Sequence, residues 1–217
     1  MASTIMHMAV ADRLYKKIKD KINIDYYQYM LGSISPDISA IINESKTKSH
    51  FLDNDKAIPN IEKFQEKYNK SLTNSFTLGY FIHLYTDKLF YEEYYPLFIE
   101  DKFFTSIIKC LDKTTIKVRK EDKKQILYND YTNLNIQLIE EYNLNLDIFY
   151  NEFMNPDTTI TEIPIHKLNL LLDNASIIIQ NISKEKEYII DISSIKSFIN
   201  DCVEEIYGYL IAINIIQ

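Results

Sequence analysis

Only three glycines and five prolines interrupt the 217 residues of this chain. A strand-rich fold of that length needs frequent turns, and Gly and Pro are the residues that turns most favour. Between the few breaks, Ile, Leu and Tyr recur at helical spacing among Lys, Asn and Glu. The chain therefore reads as all-α. Its length suits one hydrophobic core, and a single helical domain over residues 1–217 is the expectation.

Helical periodicity and capping residues place the elements. Ser3 or Thr4 can cap a first helix running to about Lys21, with His7 in its first turn. A short helix from Asp25 should end at Gly32, and "GSISPDIS" then reads as a tight connection, because Pro36 biases Ser35 away from helix. The polar segment 43–59 carries His50 on a loop or short helical turn, and a helix starts at Pro59. Further helices are expected at about 74–95, 101–112, 121–143, 145–153, 164–182 and 192–215.

The formal charge of −7 argues against an extended nucleic-acid-binding surface, since phosphate neutralisation needs a positive face. No stretch has the length or apolarity of a spanning helix, and the N-terminus lacks the apolar core of a secretory signal. Cys110 and Cys202 stand alone in sequence and read as free thiols in a reducing cytoplasm, a pattern that a mature form without its signal would share. The 22 lysines against two arginines, Arg13 and Arg119, look like codon bias rather than chemistry.

The stretch "GYFIHLYTDKLF", residues 79–90, sets His83 and Asp87 four apart in an otherwise apolar helix. At that spacing both side chains leave the same face, so an imidazole nitrogen and a carboxylate oxygen can converge on one point. An ordinary His–Asp hydrogen bond satisfies the same spacing. Tyr80, Phe81, Ile82, Leu84, Leu89 and Phe90 surround the pair, however, and a buried carboxylate needs a compensating charge. Gly79, one turn before His83, leaves room for another segment to approach. Three of the four histidines, His7, His50 and His83, lie in the first 87 residues on three different elements, and convergent imidazoles and carboxylates suit zinc. Asp37, after the rigid Ser-Pro turn, joins them as a candidate.

These positions resemble the zinc-dependent phospholipase C family, which shares its helical fold with the single-strand-specific zinc nucleases. The matching residues are His7, Asp37 in "LGSISPDI", His50 in "KSHFLD", and His83 and Asp87 in "LGYFIHLYTD", in the family's order over roughly residues 1–95. The resemblance implies a first metal site of Asp37, His50, His83 and Asp87, with Asp87 bridging to a second ion that His7 also binds. One or two zinc ions, or another divalent transition metal, are the implied cofactor, and a small phosphoester is the implied substrate. The family's three-metal set also uses an N-terminal tryptophan, a further histidine and a later HxxxE pair. This chain has no tryptophan, and His166 is followed four residues on by Leu170, so that full set is not built from these residues.

Asp37 and Asp130 are the candidates to orient or deprotonate a water. Asp130, in "QILYNDYTNLN", also reads as a helix-face or backbone-bonded carboxylate. Asp53 and Asp55 can orient His50 through its other nitrogen, or serve as loop caps. Phe90, Tyr91, Tyr94, Tyr95, Phe98, Phe103 and Phe104 suit a core or a homodimer surface better than an apolar mouth for a lipid. The runs "KVRKEDKK" and "SKEKEY" read as solvated helix ends. Two other readings accompany the hydrolase: a non-catalytic protein holding a structural ion, and a metal-free helical interaction module.

Overall fold

The computed structural model describes residues 2–53, 58–180 and 188–216. Ten helices carry most of the described chain: α1 (Thr4–Ile18), α2 (Tyr26–Ile34), α3 (Ile38–Ile41), α4 (Lys46–Ser49), α5 (Ile61–Tyr68), α6 (Ser75–Leu89), α7 (Tyr95–Phe98), α8 (Lys120–Tyr142), α9 (Leu168–Gln180) and α10 (Ile192–Ala212). Side-chain caps open the main ones. Ser3, Asp25, Asn74 and Asp191 accept from the backbone N–H groups of Met6, Gln28, Thr77 and Ser194, satisfying donors that a helix start leaves unpaired.

The centre of the fold is α1, which packs against α2, α6, α8 and α10. Met6, Met8, Ala9, Val10, Leu14 and Ile18 are all buried there, and they meet Leu31, Phe81, Leu134, Ile199 and Leu210 in one core. Such all-round burial explains why residues 5–11 of α1 are apolar apart from His7. No helix among the described residues is long and apolar enough to cross a membrane.

Helices α2 and α6 make the closest contact, through two glycines facing each other's backbone. A Cβ on Gly79 would lie 2.0 Å from the Tyr29 carbonyl oxygen, and one on Gly32 would lie 2.1 Å from that of Phe76. Any side chain larger than hydrogen would push the helices apart. The segment expected to approach Gly79 is therefore α2, and its approach sets the position of the Ser33 carbonyl described below.

The sequence-based elements hold for most helices and fail at 101–112. There the chain forms a three-stranded antiparallel sheet, β1 (Ile99–Asp101), β2 (Thr105–Lys109) and β3 (Thr115–Arg119), in the order β1-β2-β3. Thr105, Ile107, Ile108, Thr115, Ile116 and Val118 are β-branched, and such residues pack well on a pleated surface. Their apolar alternation is shared across the register, with Ile99, Ile108 and Ile116 side by side. The helix expected at 145–153 is a single 3-10 turn, Asp147–Phe149. The helix expected to run through 74–95 ends at Leu89 in a π-helical turn, Phe90–Tyr94. Residues 181–182 of the expected 164–182 helix lie outside the described residues.

Candidate metal centre

Four elements converge on one buried cluster. α1 supplies His7 from its first turn. The 3-10 turn Ser35–Asp37, which Pro36 starts, supplies Asp37. His50 is the C-cap of α4, and α6 supplies His83 and Asp87 one turn apart. All five side chains are buried, with His83 at 0 % and Asp87 at 1 % exposure.

Distances define two overlapping groups. His50 Nε2 stands 3.3 Å from His83 Nε2, 3.5 Å from Asp37 Oδ1 and 3.7 Å from Asp87 Oδ2, and His83 Nε2 lies 3.9 Å from Asp87 Oδ2. His7 Nε2 lies 3.4 Å from Asp87 Oδ1 on the other side of the same carboxylate. The ring of His7 stacks on that of His83, with centroids 3.7 Å apart and planes 13° apart.

The other ring nitrogens are held by groups that sequence reasoning did not single out. His83 Nδ1 is 2.9 Å from the Ser33 carbonyl oxygen, which only accepts, so Nδ1 carries the proton and Nε2 presents a lone pair. His50 Nδ1 is 2.8 Å from the Ser49 hydroxyl. A hydroxyl donates or accepts, so His50 can present either tautomer towards the cluster. Asp53, expected to take this place, instead accepts from the Asn60 amide, and Asp55 lies outside the described residues. Only the adjacency of Ser49 to His50 offered a sequence signal.

Electrostatics match a cation site. Burial and the neighbouring His7 lower the His83 pKa well below the ordinary imidazole value, and burial also lowers that of His50. Both rings are thus neutral at neutral pH, the form that binds metals. Burial alone would raise the Asp37 pKa, but the Lys46 ammonium at 2.6 Å, His50 and His83 outweigh it and hold the carboxyl well below its usual range. Asp87 is likewise held low against its burial, by His7 and His83. Its Oδ1 also accepts the Ala2 backbone N–H at 3.0 Å.

The residues present fit zinc. A tetrahedral ion with Zn–N bonds of ~2.0–2.1 Å has ligand–ligand edges of ~3.3–3.4 Å. The His50–His83 edge has that length, and the edges from these rings to the carboxylates run longer, at 3.5, 3.7 and 3.9 Å. Both ring nitrogens of His7 are buried without a hydrogen-bond partner among the described residues, and buried polar atoms of that kind call for one. Among the described residues, His7, His83 and Asp87 form one metal-competent group and Asp37, His50 and His83 form another.

A family comparison bears on this segment. Residues 6–89 match the zinc dependent phospholipase C family. The match bears out the resemblance seen in the sequence, and it spans His7, Asp37, His50, His83 and Asp87. At family level it links the chain to metal-dependent phosphoester hydrolysis, and the mostly helical fold agrees with it. No curated protein and no solved structure gives a significant match to the chain.

The remaining candidates have other surroundings. Asp130 is buried in α8, where Oδ1 accepts the N–H of Tyr188 and Oδ2 accepts those of Ile189 and Ile190, at 3.1, 2.6 and 3.0 Å. It ties the segment before α10 to α8, as its backbone-bonded reading allowed. His166 is exposed in the turn Ile165–Lys167. Asp37, in contrast, borders a cavity of about 370 Å³ whose walls include Ile41, Lys124, Tyr128, Tyr131 and Leu171.

Proposed function

We propose that the chain is a metal-dependent phosphoester hydrolase, with zinc or a similar divalent ion held by Asp37, His50, His83 and Asp87. His7, on the far oxygen of Asp87, marks the place of a second ion. When bound, such an ion supplies a water of depressed pKa and Lewis acidity towards a phosphoryl oxygen. The observation that carries this reading is the position of Asp37, which belongs both to the buried cluster and to the cavity wall.

The chain's own residues have distinct tasks in this reading. Ser33 and Ser49 fix the rings of His83 and His50, so that little reorganisation accompanies binding of the ion. Asp37 is ionised at neutral pH and accepts a hydrogen bond from water at the cavity edge. With its pKa held low it orients that water better than it removes a proton. Lys46 and Lys124 bring two ammonium groups to that side, where the charge of a phosphoester would sit. Ile41, Tyr128, Tyr131 and Leu171 give the cavity apolar walls for an organic substituent. Asp130, its oxygens engaged by three backbone N–H groups, takes no part.

Near-complete burial of His7, His83 and Asp87 favours a second reading, a structural ion that joins α1, the Asp37 turn and α6. Turnover of bis(p-nitrophenyl) phosphate and of short-chain phospholipids by the zinc-loaded protein separates the two. The hydrolase reading expects turnover that falls by ~100-fold or more in His50→Ala, with the helical circular dichroism retained. Absence of turnover on every substrate, in protein shown to contain the ion, overturns it in favour of the structural site.

A further inference from the structure

The sheet carries a surface that the metal centre does not explain. The turn between β1 and β2 presents Phe103 and Phe104 side by side, 82 % and 78 % exposed, with ring centroids 4.4 Å apart. No other large apolar side chain among the described residues is as exposed as either. Burial in the core or against a neighbouring element therefore does not account for the pair.

The surroundings of the pair are basic in an acidic protein. Residues 99–124 hold eight lysines and arginines against five acids, whereas the whole chain carries −7. The sheet register sorts them. Ile107 pairs with Lys117, Thr105 with Arg119 and Lys109 with Thr115, so Lys109, Lys117 and Arg119 share one face of the sheet. That face is the exposed one; the opposite face buries Ile99, Ser106 and Ile108. Lys102 adjoins the phenylalanines, and the Lys120 N–H bonds to the Phe104 carbonyl oxygen at 3.3 Å. Some of these charges are spent locally, Lys102 on Glu100 and Arg119 on Glu121 and Asp122. Lys113, Lys117 and Lys120 have no carboxylate partner among the described residues.

We infer that this hairpin docks the protein on an anionic lipid surface, with Phe103 and Phe104 entering the interfacial layer and Lys117, Lys120 and their neighbours facing the headgroups. Two rings on a turn offer far less than the ~800 Å² per partner of a stable protein interface, whereas a bilayer interface accepts a small apolar wedge backed by cations. Geometry also places the wedge near the cavity. Lys124, in its wall, lies one helical turn along α8 from Lys120, a rise of ~6 Å. The docking stands on exposure and charge alone, so it holds whether or not the metal centre hydrolyses a lipid.

Co-sedimentation of the full chain with vesicles tests it, using phosphatidylcholine alone and phosphatidylcholine mixed with phosphatidylserine, at low and physiological salt. Binding is expected to the mixed vesicles and to weaken with salt. Phe103→Ser with Phe104→Ser, and separately Lys117→Glu with Lys120→Glu, should each weaken it by ~10-fold or more with unchanged thermal melting. No binding to mixed vesicles, or binding unchanged in both double variants, overturns the inference. Sedimentation velocity supplies the further check: a dimer that Phe103→Ser with Phe104→Ser dissociates would assign the pair to a second copy of the chain. Tighter binding to a single-stranded oligonucleotide than to any vesicle would assign the face to nucleic acid and overturn the lipid.

Discussion

His50 Nε2 and His83 Nε2 face each other at 3.3 Å inside the core. The Ser33 carbonyl leaves His83 Nε2 as an acceptor, and the Ser49 hydroxyl lets His50 turn either a proton or a lone pair towards it. A proton from His50 satisfies the pair without metal. To hold a divalent ion together with His83, Asp37 and Asp87, a neutral His50 would instead carry its proton on Nδ1, donated to the Ser49 hydroxyl, so the ring would change tautomer with no net release of a proton.

Metal content follows from this pair. Protein purified without chelator or affinity tag should contain at least about one ion per chain, and His83→Ala with Asp87→Ala should contain none. Elemental analysis by mass spectrometry reads the result. Unchanged metal in the double variant would move the site away from α6.

Chelation should destabilise the native protein. Removing the ion leaves Asp37 and Asp87 to be compensated by Lys46 and the imidazoles alone. With ligand at ~1,000 times its Kd, linkage assigns the ion about 4 kcal/mol of stability. Calorimetry before and after treatment with a chelator should show a lower Tm, restored by zinc.

Gly79 couples packing to the site. In Gly79→Ala the new methyl would meet the Tyr29 carbonyl at 2.0 Å, so α2 must retreat and carry the Ser33 carbonyl from His83. A loss of about 3 kcal/mol in urea unfolding is expected, together with weaker metal retention. Gly208, beside which a methyl meets nothing within 4 Å, is the control: Gly208→Ala in α10 should be neutral or stabilising.

Asp130→Asn separates a structural carboxylate from a catalytic one. The amide retains one acceptor oxygen where the carboxylate served three backbone donors, and a loss of about 3 kcal/mol is expected. Turnover per folded molecule should be unchanged. A specific loss of turnover at full stability would return Asp130 to the chemistry.

Glu162 should make stability depend on pH. Burial alone would raise its pKa, but Lys67 and Tyr68 outweigh this and hold it below the usual carboxylate range. A depressed folded pKa contributes stability that is complete above the unfolded value of ~4.3 and is lost as pH falls through the folded value. Glu162→Gln should therefore cost about 1 kcal/mol at neutral pH, modest because Lys67 is half exposed, and the difference should vanish in acid. Urea titrations of both proteins at neutral pH and below the folded pKa measure it.

The helices and the His83–Asp87 pair were legible because both rest on local spacing, while His7, Asp37 and His50 were candidates through the distribution of histidines, the Ser-Pro turn and the family resemblance. The helix periodicity, the caps at Ser3 and Asp25, and the four-residue step from His83 to Asp87 are properties of neighbouring residues. Gly79 even announced a close approach, though not that α2 would make it. The hairpin was missed because an apolar run such as "SIIK" serves a helix or a strand until a partner strand decides. The donors that Asp130 finds, and the role of Ser33, were not legible for a related reason. Asp130 finds its donors 58–60 residues away, and Ser33 lies 50 residues from His83. By itself, then, the sequence determined most of the helices and offered His7, Asp37, His50, His83 and Asp87 as candidate ligands. Only the tertiary structure decided which of them meet, because a hydrogen bond or a ligand set across the chain depends on packing that brings distant residues within a few ångströms.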